Sequence, residues 1–155
     1  EFGQTSEWNF NGSLDWHLLD YKVHKGAQTL VKELNKLYKK EPALHQKQFS
    51  HEGFEWIDHG DHQNSVMSYI RKGENEKDNV IVILNLTPVP RENYRIGLPK
   101  AGTLKEIFNS DASKYNGTGG FNNKKLTSDK KEWNGRESSI ELNLPPLGML
   151  AYKYK

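Results

Sequence analysis

Near the front of the chain, Trp8-Asn9 and Asp15-Trp16 set two indoles beside an amide and a carboxylate. Sugars present apolar C–H faces and a rim of hydroxyls, so an indole platform flanked by such groups suits them. The same residues allow a plainer role, in which Trp16 and Leu18-Leu19 anchor a loop on the domain. A second cluster, Asp58-His59-Gly60-Asp61-His62, is the densest set of metal-ligating types. It lacks helical i, i+4 spacing and any thiolate, and it falls in a turn between two strand patterns. A polar hairpin tip is therefore the expectation, and no metal is assigned.

Gly117-Thr118-Gly119-Gly120 lacks the Lys-Ser/Thr of a phosphate loop and reads as a surface loop. Asn85-Leu86-Thr87 and Asn116-Gly117-Thr118 match the glycosylation sequon, but no secretion signal accompanies them. There is no G-x-S-x-G elbow for nucleophilic catalysis. Carboxylate pairs such as Asp58/Asp61 and Glu7/Asp15 exist. Acid–base work needs a pocket that separates their pKa values, and a small sandwich is expected to offer none.

The elements that must position these groups follow from periodicity. Glu1 to about Tyr21 reads as a long loop with local turns at Gly3 and Asn11-Gly12-Ser13. Ala27, Leu30, Val31, Leu34, Leu37 and Tyr38 then form one stripe of a 3.6-residue helix over His24–Lys40, which Pro42 must end. After Phe49 the pattern turns to strands: Phe54–Ile57, Ser65–Arg71, Val80–Leu86, Tyr94–Leu98, Leu104–Phe108, Ile140–Leu144 and Met149–Tyr154. Val80–Leu86 is a continuous apolar run, as a central strand buried on both faces requires. About seven strands at this spacing predict a mainly β fold, an antiparallel Greek-key sandwich preceded by a loop and one amphipathic helix. The sandwich is expected to fill its own core. The stripe Leu30, Val31, Leu34, Leu37 is then left to seek a partner outside it, or to drive self-association.

Composition bounds the function. The 155 residues carry 22 basic and 20 acidic groups, and short basic clusters (Lys36, Lys39, Lys40; Lys124, Lys125; Lys130, Lys131) are interrupted by acids. Such a balance implies no nucleic-acid footprint. Hydrophobic content is 34% and mean hydropathy −0.88, yet aromatics reach 11%, too many for a disordered chain. Cysteine is absent, which excludes disulfides and thiolate chemistry and fits a reducing, cytoplasmic setting. No apolar run approaches a membrane helix, and no cofactor is implied.

Taken in order, these pieces resemble the carboxyl-terminal portion of bacterial 1,4-α-glucan branching enzymes of the α-amylase superfamily. The resemblance rests on Glu1-Phe2-Gly3-Gln4 with Glu7-Trp8-Asn9, on Ser13-Leu14-Asp15-Trp16-His17-Leu18-Leu19, and on Thr87-Pro88-Val89-Pro90 with Tyr94-Arg95-Ile96-Gly97-Leu98-Pro99. It extends through KEIFNSDASKYNGTGGFNN (Lys105 to Asn123) and LPPLGMLAYK. Tyr115-Asn116-Gly117-Thr118-Gly119 departs from the expected Tyr-Gly-Gly-Ser-Gly, and the turn His59–His62 looks idiosyncratic.

The resemblance implies that residues 1–48 are the remnant of a TIM-type barrel, its last βα loop and last helix, and that 49–155 form the C-terminal all-beta domain. Active sites of such barrels lie on these loops. Trp8, Asn9, Asp15 and Trp16 are thus implied as substrate contacts for α-glucan (glycogen or amylose). The reactive carboxylates, ~5–5.5 Å apart in a retaining mechanism, are implied to lie on earlier barrel strands. No catalytic residue is assigned in this chain, which is expected to be an inactive fragment that braces its missing N-terminal barrel. Two other readings stand beside this one: a free-standing carbohydrate-binding module, and the C-terminal domain of another α-amylase relative. An independent module should bury its helical stripe internally.

Overall fold

The computed structural model describes residues 1–121, 123 and 125–155. Asn122, in the run quoted above, and Lys124, of one basic pair, lie outside the described residues. After a 3-10 turn at Trp16–Asp20 comes helix α1 (Lys22–Lys40). The strands are β1 (Phe54–Asp61), β2 (Val66–Arg71), β3 (Val80–Asn85), β4 (Arg91–Leu98), β5 (Thr103–Asn109), β6 (Lys125–Thr127), β7 (Ser138–Leu144) and β8 (Gly148–Tyr154). Every strand pairing is antiparallel. Six strands form one sheet in the order β1-β2-β3-β8-β5-β6, and β4 pairs with β7 in a second. Non-consecutive neighbours such as β3 and β8 are the crossovers a Greek key makes. Only β6 had no counterpart in the strand pattern of the sequence.

The core between the sheets is filled by alternating residues. Ile81 and Ile83 of β3, Leu150 and Tyr152 of β8 and Leu104 of β5 meet Ile96 and Leu98 of β4 and Ile140, Leu142 and Leu144 of β7. Because side chains alternate along a strand, the other residues of β3, Val80 and Val82, point to the far face of the large sheet. There they join Ala151 and Phe108 beneath Leu30, Leu34 and Leu37 of α1.

This corrects the expectation for the helix. The stripe Leu30, Val31, Leu34, Leu37 does not wait for an outside surface: its leucines cover the second apolar face of the six-stranded sheet. The physical reason was visible in β3, whose unbroken apolar run cannot be buried on both sides by one opposing sheet.

Two features lock α1 in place. At its end, Pro42 follows an extended Glu41, and that carboxylate, 3% exposed, receives Lys153 Nζ of β8 at 2.8 Å. Near its start, Gly26 lies so close to the turn Ser113–Tyr115 that a Cβ there would fall 2.5 Å from the Tyr115 carbonyl oxygen. The turn itself is organised by buried Asp111, which accepts from Thr118 N–H at 3.0 Å and from the Thr118 hydroxyl at 2.5 Å. The glycine run after Tyr115 therefore wraps a carboxylate and cradles no phosphate.

Candidate functional site

The front loop is tied down by its own polar groups. Phe2 is buried, stacks on Trp16 with ring centroids 5.4 Å apart, and its backbone carbonyl accepts from His24 Nδ1 at 2.8 Å. Asp15 takes the Ser6 hydroxyl in a short hydrogen bond, and its N–H donates to Gln4 Oε1 at 2.9 Å. Asn9 folds a tight turn, its Oδ1 accepting from Asn11 N–H at 3.0 Å and its carbonyl from Gly12 N–H at 3.1 Å. An Asx turn of this kind is what Asn offers a loop.

Of the four residues singled out from sequence, Trp8 and Trp16 are 70% and 53% exposed, Asn9 is exposed, and Asp15 is half-buried. They form two aromatic pairs, Trp8 with Phe10 at 6.4 Å and Trp16 with Phe2. The Ser6–Asp15 hydrogen bond ties the strand of chain before Trp8 to the one before Trp16. Large exposed aromatics on a hydrogen-bonded loop can stack on a sugar face, and Asp15 and Asn9 can supply acceptors at its rim.

The carboxylates show no arrangement for acid catalysis. Three of them, Glu33, Glu55 and Asp61, titrate below their ordinary range. The Lys72 ammonium and Arg136 guanidinium beside Glu55 hold it below its usual range, against the opposing effect of burial. Burial works to raise Asp61, but hydrogen bonds from Tyr94 and Asn64 and the nearby Arg91 charge outweigh it. Glu33, beside Lys36, is likewise lowered. A general acid needs the opposite displacement. Among the described residues there is also no group of three or more His, Asp or Glu that could hold a metal. Asp58 and Asp61 serve local structure: Asp58 accepts from Gly60 N–H at 2.8 Å, and Asp61 accepts from Asn64 and, at 2.6 Å, from the Tyr94 hydroxyl. Burial, and then that bond to Asp61, push the Tyr94 hydroxyl far above its ordinary range.

The expectation that the sandwich offers no pocket is incorrect. A groove of about 720 Å³ opens beside the two-stranded sheet, lined by Asp58, Tyr94, Arg95, Trp133, Asn134 and Glu141 among others. It escaped the sequence because its walls come from residues more than 80 positions apart, joined only by strand pairing. One signal was present: Asn134-Gly135 is the strongest short hairpin dipeptide, and it turns the chain between Trp133 and Arg136.

Residues 56–155 match the family model described as "Alpha amylase, C-terminal all-beta domain". The full 155 residues align at 49% identity with "1,4-alpha-glucan branching enzyme GlgB" of Aquifex aeolicus, over 25% of that protein. They align at the same identity with the protein of that name from Nitrosococcus oceani, over 20% of it. The corresponding protein of Cellvibrio japonicus is 50% identical over 99% of this chain and 20% of its own length. The chain thus spans between a fifth and a quarter of the length of these relatives.

Proposed function

Because the chain belongs to the α-amylase C-terminal all-beta domain family, we propose that it works as part of a 1,4-α-glucan branching enzyme. One observation carries this reading: the alignment at 49% identity spans all 155 residues, so the front loop and α1 are aligned along with the family domain at 56–155. In this reading residues 1–48 are the last loop and helix of a catalytic barrel and 49–155 are the sandwich that braces it. The parent moves segments of α-1,4-glucan onto α-1,6 positions in the cytoplasm, and its reactive carboxylates stand outside this chain. Trp8, Asn9, Asp15 and Trp16 line the approach to that site, the indoles stacking on glucose units and Asp15 and Asn9 taking hydroxyl hydrogens. The downward displacement of Glu33, Glu55 and Asp61 supports this assignment of roles, since these three are not tuned as acids. No helix among the described residues is long and apolar enough to cross a membrane.

One feature favours the second reading, a free-standing carbohydrate-binding module. The leucines of the helix stripe pack, partly buried, against the sheet within the chain, as an independent module requires. The two readings separate in one assay. Amylose incubated with the 155-residue chain gains no α-1,6 branches, whereas the longer protein containing this segment produces them; Trp8→Ala and Trp16→Ala in that longer protein lower kcat/KM for amylose. Branching by the 155-residue chain itself, or no branching by the longer protein, refutes the proposal.

A further inference from the structure

The groove beside the two-stranded sheet is built with more care than a surface crease requires. Its Trp133 sits at the end of a two-residue turn in which Asn134 and Gly135 have φ of 50° and 68°, the left-handed pair of a tight hairpin. Two strands, β1 and β4, pin that hairpin. Asn134 Nδ2 donates to Asp58 of β1 at 2.8 Å, and Asn134 Oδ1 accepts from Gly97 N–H of β4 at 2.9 Å. The Arg136 guanidinium pairs with Glu55 and reaches the Trp56 carbonyl at 3.3 Å. The hairpin lies directly on β4: a Cβ at Gly97 would fall 2.3 Å from the Trp133 carbonyl oxygen.

The result is an indole held on a rigid mount yet 44% exposed. Beside it Arg95, whose side chain is 9% exposed, is fixed between Glu141 and Asp129. The groove's volume of about 720 Å³ falls within the roughly 300–1,000 Å³ usual for ligand sites. Four carboxylates and three cations line it, leaving one net negative charge. That balance disfavours phosphate and other anions, and the polar walls disfavour a lipid chain. What remains is a neutral polyol with an apolar face for the indole and hydroxyls for the carboxylates and amides around it. Side chains already paired to one another lose little freedom on binding.

We propose that this groove is a saccharide-binding subsite centred on Trp133, occupied by an α-1,4-linked glucan segment. The ligand's identity rests on the branching-enzyme reading; the site rests on the groove. It is separate from the front loop, because α1 covers one face of the six-stranded sheet and β4–β7 cover the other. It holds a polymer at a distance from the loop and so raises the local concentration of chain ends.

The test is a titration of the 155-residue chain with maltoheptaose, following the indole N–H resonances of its four tryptophans by NMR, with Trp133 assigned through Trp133→Ala. The Trp133 resonance shifts saturably with maltoheptaose and not with the β-1,4-linked cellohexaose. Trp133→Ala abolishes the saturable response of the Glu141 and Asn93 amides, and Trp133→Phe keeps a weakened one, which guards against a folding defect in the alanine variant. A Trp133 resonance that stays still, or that responds equally to both sugars, overturns the proposal. A still resonance with branching intact in the longer protein removes the groove alone; a saturable shift without branching removes the branching reading alone.

Discussion

Gly26→Ala asks whether α1 truly rests on the sandwich. In a helix interior alanine is better than glycine by about 1 kcal/mol, so on a free helix this substitution stabilises. Here the new Cβ would lie 2.5 Å from the Tyr115 carbonyl oxygen and 2.7 Å from its carbon. Both are backbone atoms of a turn that Asp111 holds through Thr118, so they cannot swing aside as a side-chain tip would. Overpacking of this kind costs about 1–3 kcal/mol, and a backbone obstacle belongs at the upper end. With the gain in propensity subtracted, the net loss is about 2 kcal/mol. At about 2–4 °C per kcal/mol for a chain of this size, the thermal midpoint falls by about 4–8 °C. Circular dichroism melts of both variants at one concentration read this directly. A midpoint raised by a few degrees would mean that the helix does not touch the turn, and would refute the account of the fold given above.

The remaining predictions concern charge. Glu41→Gln leaves Lys153 without its buried partner; since Lys153 is 20% exposed and retains Asp78 at 3.7 Å, the loss is about 3 kcal/mol, the low end for breaking a buried pair. A chemical denaturation midpoint unchanged by Glu41→Gln would contradict this. Lowering the pH should destabilise the fold in the acid range. Glu55 and Asp61 both titrate lower in the folded chain than their ordinary 4.5 and 3.8. Their contribution is therefore complete above those values and disappears as pH falls through the lowered folded values. Glu55→Gln should flatten the acid limb of a stability–pH curve measured between pH 2 and 6, and an unchanged limb would argue against its pairing with Lys72 and Arg136.

Much of the fold could be read from periodicity because each strand carries its own alternation. Val80–Asn85 announced a strand buried on two sides, and Leu30, Leu34 and Leu37 announced an apolar helix face. What periodicity could not supply was that the two needed each other, since residues 30 and 82 meet only through tertiary structure. Asn9 and Asp15 were visible as polar neighbours of indoles, but their engagement in the front loop's own turns was not. The Trp133 groove was hidden for the same reason as the helix contact. Asp58, Tyr94, Trp133 and Glu141 share no local pattern, and only the pairing of β4 with β7 and the Asn134 bridge to β1 bring them together.

The place of β8 has a bearing on how the molecule is made. β8, which follows the other seven strands in chain order, is inserted between β3 and β5, in the middle of the large sheet. Until it arrives, β1–β3 and β5–β6 are two separate ribbons, each presenting a bare edge able to recruit strands from other nascent chains. Assembly by such distant pairings is slow, so the hazardous interval in biosynthesis closes only with translation of Gly148–Tyr154.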